Sequence, residues 1–210
     1  MSMRGRIIIP ELLADGWDTE PPVLAAFRGS DYDRALQVAF KSLRVDLLFE
    51  SGIHGQGHIE RVLLLGALIA QREALPPADT RVLLLACSYH DVGRIHDGRD
   101  EAHGARSAEC LRGGAFDREL AALSGPERAI LLAAIAAHSA SGKRRMEFAL
   151  RYEVPEAERP RYAEIAKCLK DADNLDRVRL GDLDPSRLRH AGSRALVPFA
   201  EALFEEYEGR

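Results

Sequence analysis

Cysteine is scarce in this sequence and is not arranged in pairs. The 210 residues contain three cysteines, Cys87, Cys110 and Cys168, and none of them belongs to a Cys-x-x-Cys motif. An odd number of widely spaced cysteines argues against a disulfide framework and against a zinc ribbon. The sequence therefore predicts reduced thiols in a cytoplasmic protein.

Long apolar runs and an excess of basic residues are also missing. A membrane-spanning helix needs about 18–20 apolar residues, and the most apolar segments, 62–70 and 82–87, are about half that length. The formal net charge is −4, whereas nonspecific nucleic-acid binding usually needs a basic face. We expect no membrane association and no nucleic-acid partner. A small polyanion stays compatible, because a bound metal ion can supply local positive charge.

What the sequence does contain is helical periodicity along nearly its whole length. Apolar residues make up 46% and charged residues 30%, which is ordinary for one globular domain of this size. Apolar side chains recur at steps of three and four, as on helix faces. The predicted helices are 30–50, a second one that contains His58 and ends before Pro76-Pro77, 77–92, 101–112, 124–138, 159–178, and two shorter ones near Asp184-Pro185 and at 196–207.

Local signals agree with an all-α fold. Ser30 is a candidate N-cap, and the Ser124-Gly-Pro-Glu127 motif is typical of a capping box with proline in the first turn. Residues 6–10 could form a short extended piece, but no segment shows convincing strand alternation. The sequence predicts a single-domain helical bundle over residues 1–210.

Histidines are concentrated where the chemistry is expected. Five of the seven fall between residues 54 and 103, and His58 and His90 lie on apolar helix faces, with Asp91 next to His90. Burying such groups without partners costs roughly 2–7 kcal/mol each. A shared metal ion would satisfy several of them at once, although a single such histidine is more often a hydrogen-bonded core residue.

The acidic run at 170–176 offers a further ligand. Asp173 and Asp176 are three residues apart and share a helix face, while Asp171 is rotated away from it. We therefore expect Asp173 and Asp176 to face a common pocket and Asp171 to lie on a solvated face.

Three blocks of residues together resemble the HD-domain superfamily over about residues 50–180. They are His58-x-x-Arg61-Val62, His90-Asp91-Val-Gly-Arg94 and Ala172-Asp173-x-Leu-Asp176. The resemblance implies an all-α fold of the HD-domain type, with an HD-type core flanked by N- and C-terminal helices. It also implies hydrolysis of a phosphate ester and a divalent metal ion held by His58, His90, Asp91 and Asp173.

Two further histidines match positions at which many HD domains carry histidine. By that resemblance His103 and His138 bind a second metal ion or contact substrate phosphate. Alternatively, His138 only ends its helix, where an imidazolium complements the helix dipole. His54 is expected to line the pocket or to support the ligands, whereas His96 and His190 are expected on the surface.

The ligand types narrow the metal and the catalytic roles. Mixed imidazole and carboxylate ligands suit Mn, Fe, Co, Ni or Zn, with Mg also compatible, as one ion or two. Such an ion lowers the pKa of a bound water. Arg61 and Arg94 are candidates for binding phosphate, Asp176 for orienting a ligand or accepting a proton, and Lys143 for lining the pocket or belonging to a solvated basic loop.

The leading hypothesis is a phosphohydrolase that acts on a nucleotide or another small phosphorylated metabolite. An HD-fold diiron oxygenase and a noncatalytic metal- or nucleotide-binding regulator are the alternatives. A homo-oligomer is compatible with the sequence. No Gly-Tyr-Pro signature follows the HD blocks, which argues against the cyclic-dinucleotide branch of the superfamily.

Overall fold

A computed structural model describes residues 5–15, 17 and 21–210, and the regular secondary structure within these ranges is all helical. The α-helices are α1 (Ile9–Asp15), α2 (Pro22–Phe27), α3 (Asp31–Ser42), α4 (Gln56–Arg72), α5 (Pro77–Tyr89), α6 (His103–Arg112), α7 (Asp117–Leu120), α8 (Gly125–His138), α9 (Arg145–Arg151), α10 (Arg159–Leu175), α11 (Ala191–Arg194) and α12 (Val197–Glu208). Short 3-10 turns lie at 45–47, 142–144, 156–158, 176–180 and 185–187. The described residues form no β-strand, so the predicted all-α fold is confirmed.

Helix α4 is the centre of the molecule. All of its residues from His58 to Ala70 are buried, as expected for a helix that is apolar on every side. It packs against α3, α5 and α10, and α10 and α5 both pack against α8. Helix α6 lies along α8, and α1 and α12 contact α4. The four central helices α4, α5, α8 and α10 therefore surround one continuous apolar core.

The cap signals of the sequence act as predicted. The Ser30 hydroxyl accepts a hydrogen bond from the backbone of Asp33. Ser124 and Glu127 form the complete capping box, in which each side chain bonds the other residue's backbone. These bonds satisfy N–H groups that a helix start leaves without a partner.

Two boundaries differ from the predictions. Helix α3 ends at Ser42 instead of continuing to about residue 50, because the backbone N–H of Arg44 donates to the Tyr89 hydroxyl at 3.2 Å and leaves the helical path. Near the N-terminus the expected extended piece is replaced by α1. Its first N–H groups, of Ile8 and Ile9, donate to the buried Glu60 carboxylate of α4 at 2.7 and 3.0 Å, a distant partner that local sequence does not indicate.

None of the helices in the described ranges has the length and apolarity required to traverse a lipid bilayer.

Gly93 allows α6 to approach the end of α5 closely. A Cβ atom at this position would lie 2.2 Å from the backbone nitrogen of Ser107 and 2.5 Å from the carbonyl carbon of Arg106. The backbone N–H of Gly93 also donates to the Ser107 hydroxyl at 2.9 Å. The contact sets how α6 sits beside the His90-Asp91 pair.

We expect Gly93→Ala to lower the free energy of unfolding by about 1–3 kcal/mol, because the added methyl group overpacks a backbone-to-backbone contact. Urea denaturation measures this change. Gly125→Ala is the matched control, since a Cβ at Gly125 meets nothing within 4 Å. Equal stability of the two variants would contradict this account of Gly93.

Candidate metal centre

Five helices bring six candidate ligands to one place. His58 lies in the first turn of α4, His90 and Asp91 follow the last residue of α5, and His103 opens α6. His138 ends α8, and Asp173 lies near the end of α10. Helix ends supply most of these ligands, which lets side chains from different directions converge.

The first group of ligands joins α4, α5 and α10. The Nε2 atoms of His58 and His90 are 3.1 Å apart. Asp173 Oδ1 lies 3.4 Å from the former and 3.8 Å from the latter. Asp91 Oδ2 is 3.7 Å from His58 Nε2. These four residues are the ones that the resemblance implied as metal ligands.

The second group lies on the other side of Asp91. The Nε2 atoms of His103 and His138 are 2.8 Å apart, and they lie 3.0 and 3.5 Å from Asp91 Oδ1. Asp91 Oδ1 also lies 3.9 Å from His90 Nε2, so Asp91 stands between the two groups.

The hydrogen bonds of the four outer Nδ1 atoms determine the protonation of the inner Nε2 atoms, which face one another. Each Nδ1 atom faces an oxygen that only accepts hydrogen bonds. The partners are Asp176 Oδ2 for His58 (2.8 Å), Cys87 O for His90 (3.0 Å), Ile135 O for His138 (2.6 Å) and Asp100 O for His103. Each Nδ1 must therefore carry the hydrogen, and in a neutral ring the Nε2 atom is left with a lone pair.

Facing lone pairs need a cation between them. The Nε2 pairs at 3.1 and 2.8 Å have no hydrogen to share, and the buried Asp91 Oδ1 has no hydrogen-bond donor. Metal–nitrogen bonds of about 2.0–2.1 Å place neighbouring ligand atoms about 3 Å apart. The residues present therefore fit a divalent transition metal ion, and the imidazole and carboxylate mixture suits Mn, Fe, Co, Ni or Zn.

The pKa shifts favour the same protonation states. Burial, reinforced by Arg179, lowers the pKa of His58 well below its ordinary value, and burial lowers the pKa of His138 to about 4. Although burial opposes the charge on Asp173, the pKa of this carboxyl is lowered to about 2, so Asp173 is ionised. Neutral imidazoles beside an ionised carboxylate are the forms that bind a metal ion.

Arg61 lies behind His58, and its phosphate-binding role stays a prediction. Arg61 is 3% exposed, and its guanidinium donates to Asp176 through Nε at 2.6 Å and Nη2 at 3.1 Å. It also lies over the rings of Phe204 and Tyr207 in α12, 5.2 and 4.8 Å from their centroids. Arg61 thus holds Asp176, which in turn holds His58.

Arg94 and His54 adjoin Asp91. Arg94 Nε donates to Asp91 Oδ2 at 2.8 Å, so this guanidinium is already paired with a ligand carboxylate. His54 Nδ1 lies 3.3 Å from the same oxygen, and His54, His58 and Asp91 form a further cluster that could hold an ion.

Arg179 was missed by sequence reasoning. It contacts Asp176 Oδ2 at 3.2 Å, the Ile53 carbonyl at 3.0 Å and His54 Nδ1 at 3.2 Å. Its only sequence signal is its position three residues after Asp176, on a continuation of the same helix face. It ties the segment before α4 to the end of α10.

Other predicted positions lie away from the ligands or differ from expectation. Lys143 is exposed in the 3-10 turn 142–144, and its amine makes no hydrogen bond or ion pair within the described ranges, which matches the solvated-loop alternative. His96 is exposed, as expected.

The prediction that Asp171 is solvated is wrong. It is fully buried and accepts hydrogen bonds from the backbones of Arg189 and His190 at 2.9 and 3.0 Å. His190, which was expected on the surface, bridges Asp171 and Glu164 with its two ring nitrogens at 2.9 and 2.8 Å. The segment before α11 folds back over α10, which helical phase alone does not predict.

Comparison with known protein families agrees with this centre. The model of the HD domain family matches residues 56–178, which is more than half of the chain. The chain therefore belongs to the HD domain family, a superfamily of metal-dependent phosphohydrolases. No curated protein and no solved structure matches it significantly.

We expect Asp176→Asn to weaken metal binding by about 10–100-fold, since carboxylates that orient ligand histidines have effects of this size. Competition with a chelating indicator measures the dissociation constant. Asp182→Asn is the control, because Asp182 is exposed and pairs with Arg177 and with no ligand of the described centre. An unchanged dissociation constant in Asp176→Asn would contradict the positioning role.

The metal-depleted protein should lose stability as the pH falls from about 6.5 toward about 4. His138 has a native pKa of about 4 against 6.5 for the free side chain, so the unfolded state binds more protons in this range and acid favours unfolding. The titration of His138 should lower the free energy of unfolding by up to about 3 kcal/mol.

Urea denaturation of chelator-treated protein between pH 7.5 and 4.5 measures this dependence. In His138→Gln the free energy of unfolding should depend less steeply on pH than in the wild type. In His96→Gln, at an exposed position, it should depend on pH as steeply as in the wild type. Identical slopes for all three proteins would exclude His138 as a source of the pH dependence.

Proposed function

We propose that the chain is a metal-dependent phosphohydrolase that cleaves a phosphate ester or anhydride of a nucleotide or another small phosphorylated metabolite. The observation that carries the proposal is the convergence of four Nε2 lone pairs on the two oxygens of Asp91. Membership of the HD domain family supports the reaction class.

The arrangement favours two ions over one. Asp91 contacts the first pair of histidines mainly through Oδ2 on His58 and the second pair through Oδ1, and only the first pair also has Asp173. Sites with two metal ions about 3.5–4 Å apart occur in phosphatases and nucleases, and Asp91 would be the residue that both groups share. When bound, such ions polarise a phosphoryl oxygen and lower the pKa of water from 15.7 toward about 7.

The protein side chains supply orientation in this proposal. Asp176 uses its two oxygens on His58, Arg61 and Arg179, which favours orienting a ligand over accepting a proton. Arg94 fixes the carboxylate plane of Asp91 through Oδ2. Asp173 has the most exposed side chain of the six candidate ligands, at 28%. Substrate would therefore approach the centre from the side of Asp173.

A diiron oxygenase of the same fold is the second candidate, because the six imidazole and carboxylate donors also suit iron. Iron content and oxygen-dependent turnover would distinguish it from a hydrolase. A noncatalytic regulator would bind metal or nucleotide without hydrolysing any phosphate. The predicted cytoplasmic location still rests on the free thiols, of which Cys87 and Cys168 are buried.

The most informative experiment is a panel of phosphomonoesters, phosphodiesters and nucleoside triphosphates, assayed with apo protein that has been reconstituted with single metals. Asp91→Ala should lose metal from both groups, and activity should fall by more than about 100-fold, since even supporting residues contribute about 10–100-fold.

Asp182→Ala, which removes an exposed carboxylate, should keep metal and activity. Full metal content in Asp91→Ala would overturn the proposed centre. Full metal content in the wild type without hydrolysis of any substrate in the panel would favour the regulator.

A further inference from the structure

The cations around the metal centre fall into two groups. Arg61, Arg94 and Arg179 each donate to a carboxylate of the centre, with distances of 2.6, 2.8 and 3.2 Å. These three guanidinium groups are already neutralised, and a phosphate would have to displace a carboxylate to gain them. Any anion that reaches the centre therefore depends on other cations.

Lys170 is a cation of α10 that forms no ion pair in the described part of the chain. It precedes Asp173 by three residues, so the two side chains share a helix face. Its amine donates to the carbonyl of Ala140 at 2.5 Å, and Ala140 follows His138 by two residues. The amine is thus held between α10, which carries Asp173, and the residues that follow His138 at the end of α8. It has no carboxylate within 4 Å in the described part of the chain.

Arg145 approaches the same region from the start of α9. The Tyr162 hydroxyl donates to the Arg145 carbonyl at 2.9 Å, which anchors α9 to α10. Its neighbour Arg144 pairs with Glu147, but the partly buried Arg145 side chain forms no ion pair with any described carboxylate.

The electrostatics show that these charges act on one another. Burial, helped by the positive charges of Arg189 and Arg145 and opposed by Asp173, lowers the pKa of Lys170 to about 8. Arg189 is paired with Asp171. Lys170 and Arg145 are left as two partly buried positive charges without a counterion, an arrangement that a bound anion stabilises.

We propose that Lys170 and Arg145 form a subsite for a second phosphate group of the substrate, next to the phosphate that the metal centre would bind. The substrate class is then a diphosphate or triphosphate compound, and a simple monophosphate ester would leave the subsite empty. This inference rests on the proposed function, because it assumes that a phosphate occupies the metal centre.

The test is isothermal titration of the metal-loaded full chain with orthophosphate and with methylenediphosphonate, which is not hydrolysed and carries two phosphorus groups. The wild type should bind methylenediphosphonate about tenfold or more tightly than orthophosphate. Lys170→Met should weaken methylenediphosphonate binding by about tenfold, the effect of one charge-assisted hydrogen bond, and change orthophosphate binding by less than about threefold.

Lys167→Met is the matched control, because Lys167 lies one turn earlier on α10 and pairs with Glu164. It should bind both ligands as the wild type does, and Lys170→Arg should keep most of the preference. Bound metal is measured after each titration, since methylenediphosphonate can also chelate metal.

Arg145→Met keeps the test decisive if Lys170→Met fails to fold, because it should show the same selective loss. Equal wild-type affinities for the two ligands, or equal losses for both ligands in the variants, would overturn the subsite. Titration measures binding without turnover, so inactivity in the substrate panel would count against the hydrolase alone.

Discussion

Two pairs of imidazole nitrogens that meet without a hydrogen between them are the constraint on which the rest of this structure depends. Each ring donates its only N–H to an outer oxygen. For His90, His103 and His138 the acceptor is the backbone carbonyl three residues earlier, and for His58 it is the Asp176 carboxylate. The inner lone pairs are then fixed in direction before any ion arrives. Such preorganisation raises metal affinity, because the rings need no reorientation on binding.

The packing of the helical core holds the four imidazole rings in these orientations. Helix α4 is buried from His58 to Ala70. His90 and Asp91 follow the C-terminal end of α5, and His138 is the last residue of α8. Helix ends lack further turns that would crowd the ligands, so His90, Asp91 and His138 can lean toward one point. Close backbone contact at Gly93 keeps His103 beside them.

Much of the centre could be predicted because its ligands follow helix geometry. His58 and His90 stand on apolar faces, and helical phase separates Asp173 from Asp171. Where a side chain has a partner that the sequence did not indicate, that partner lies far away in sequence. Arg61 donates to Asp176, 115 residues later.

The burial of Asp171 has a similar origin, because a segment after α10 returns and places two backbone N–H groups against it. The local sequence pattern of α10 does not predict that a later segment packs back against it. The same holds for Arg179 and for the Glu60 cap of α1, which are recognised only once the helices are packed.

The stacking of Arg61 on the rings of Phe204 and Tyr207 joins α12 to the metal centre through Asp176 and His58. Linkage between sites is reciprocal, so an ion that favours the observed His58 orientation also favours the docked position of this helix. The two processes share one free energy of coupling. A partner or modification that pulled α12 from the bundle would therefore be felt as a change in metal affinity, although it never touches a ligand.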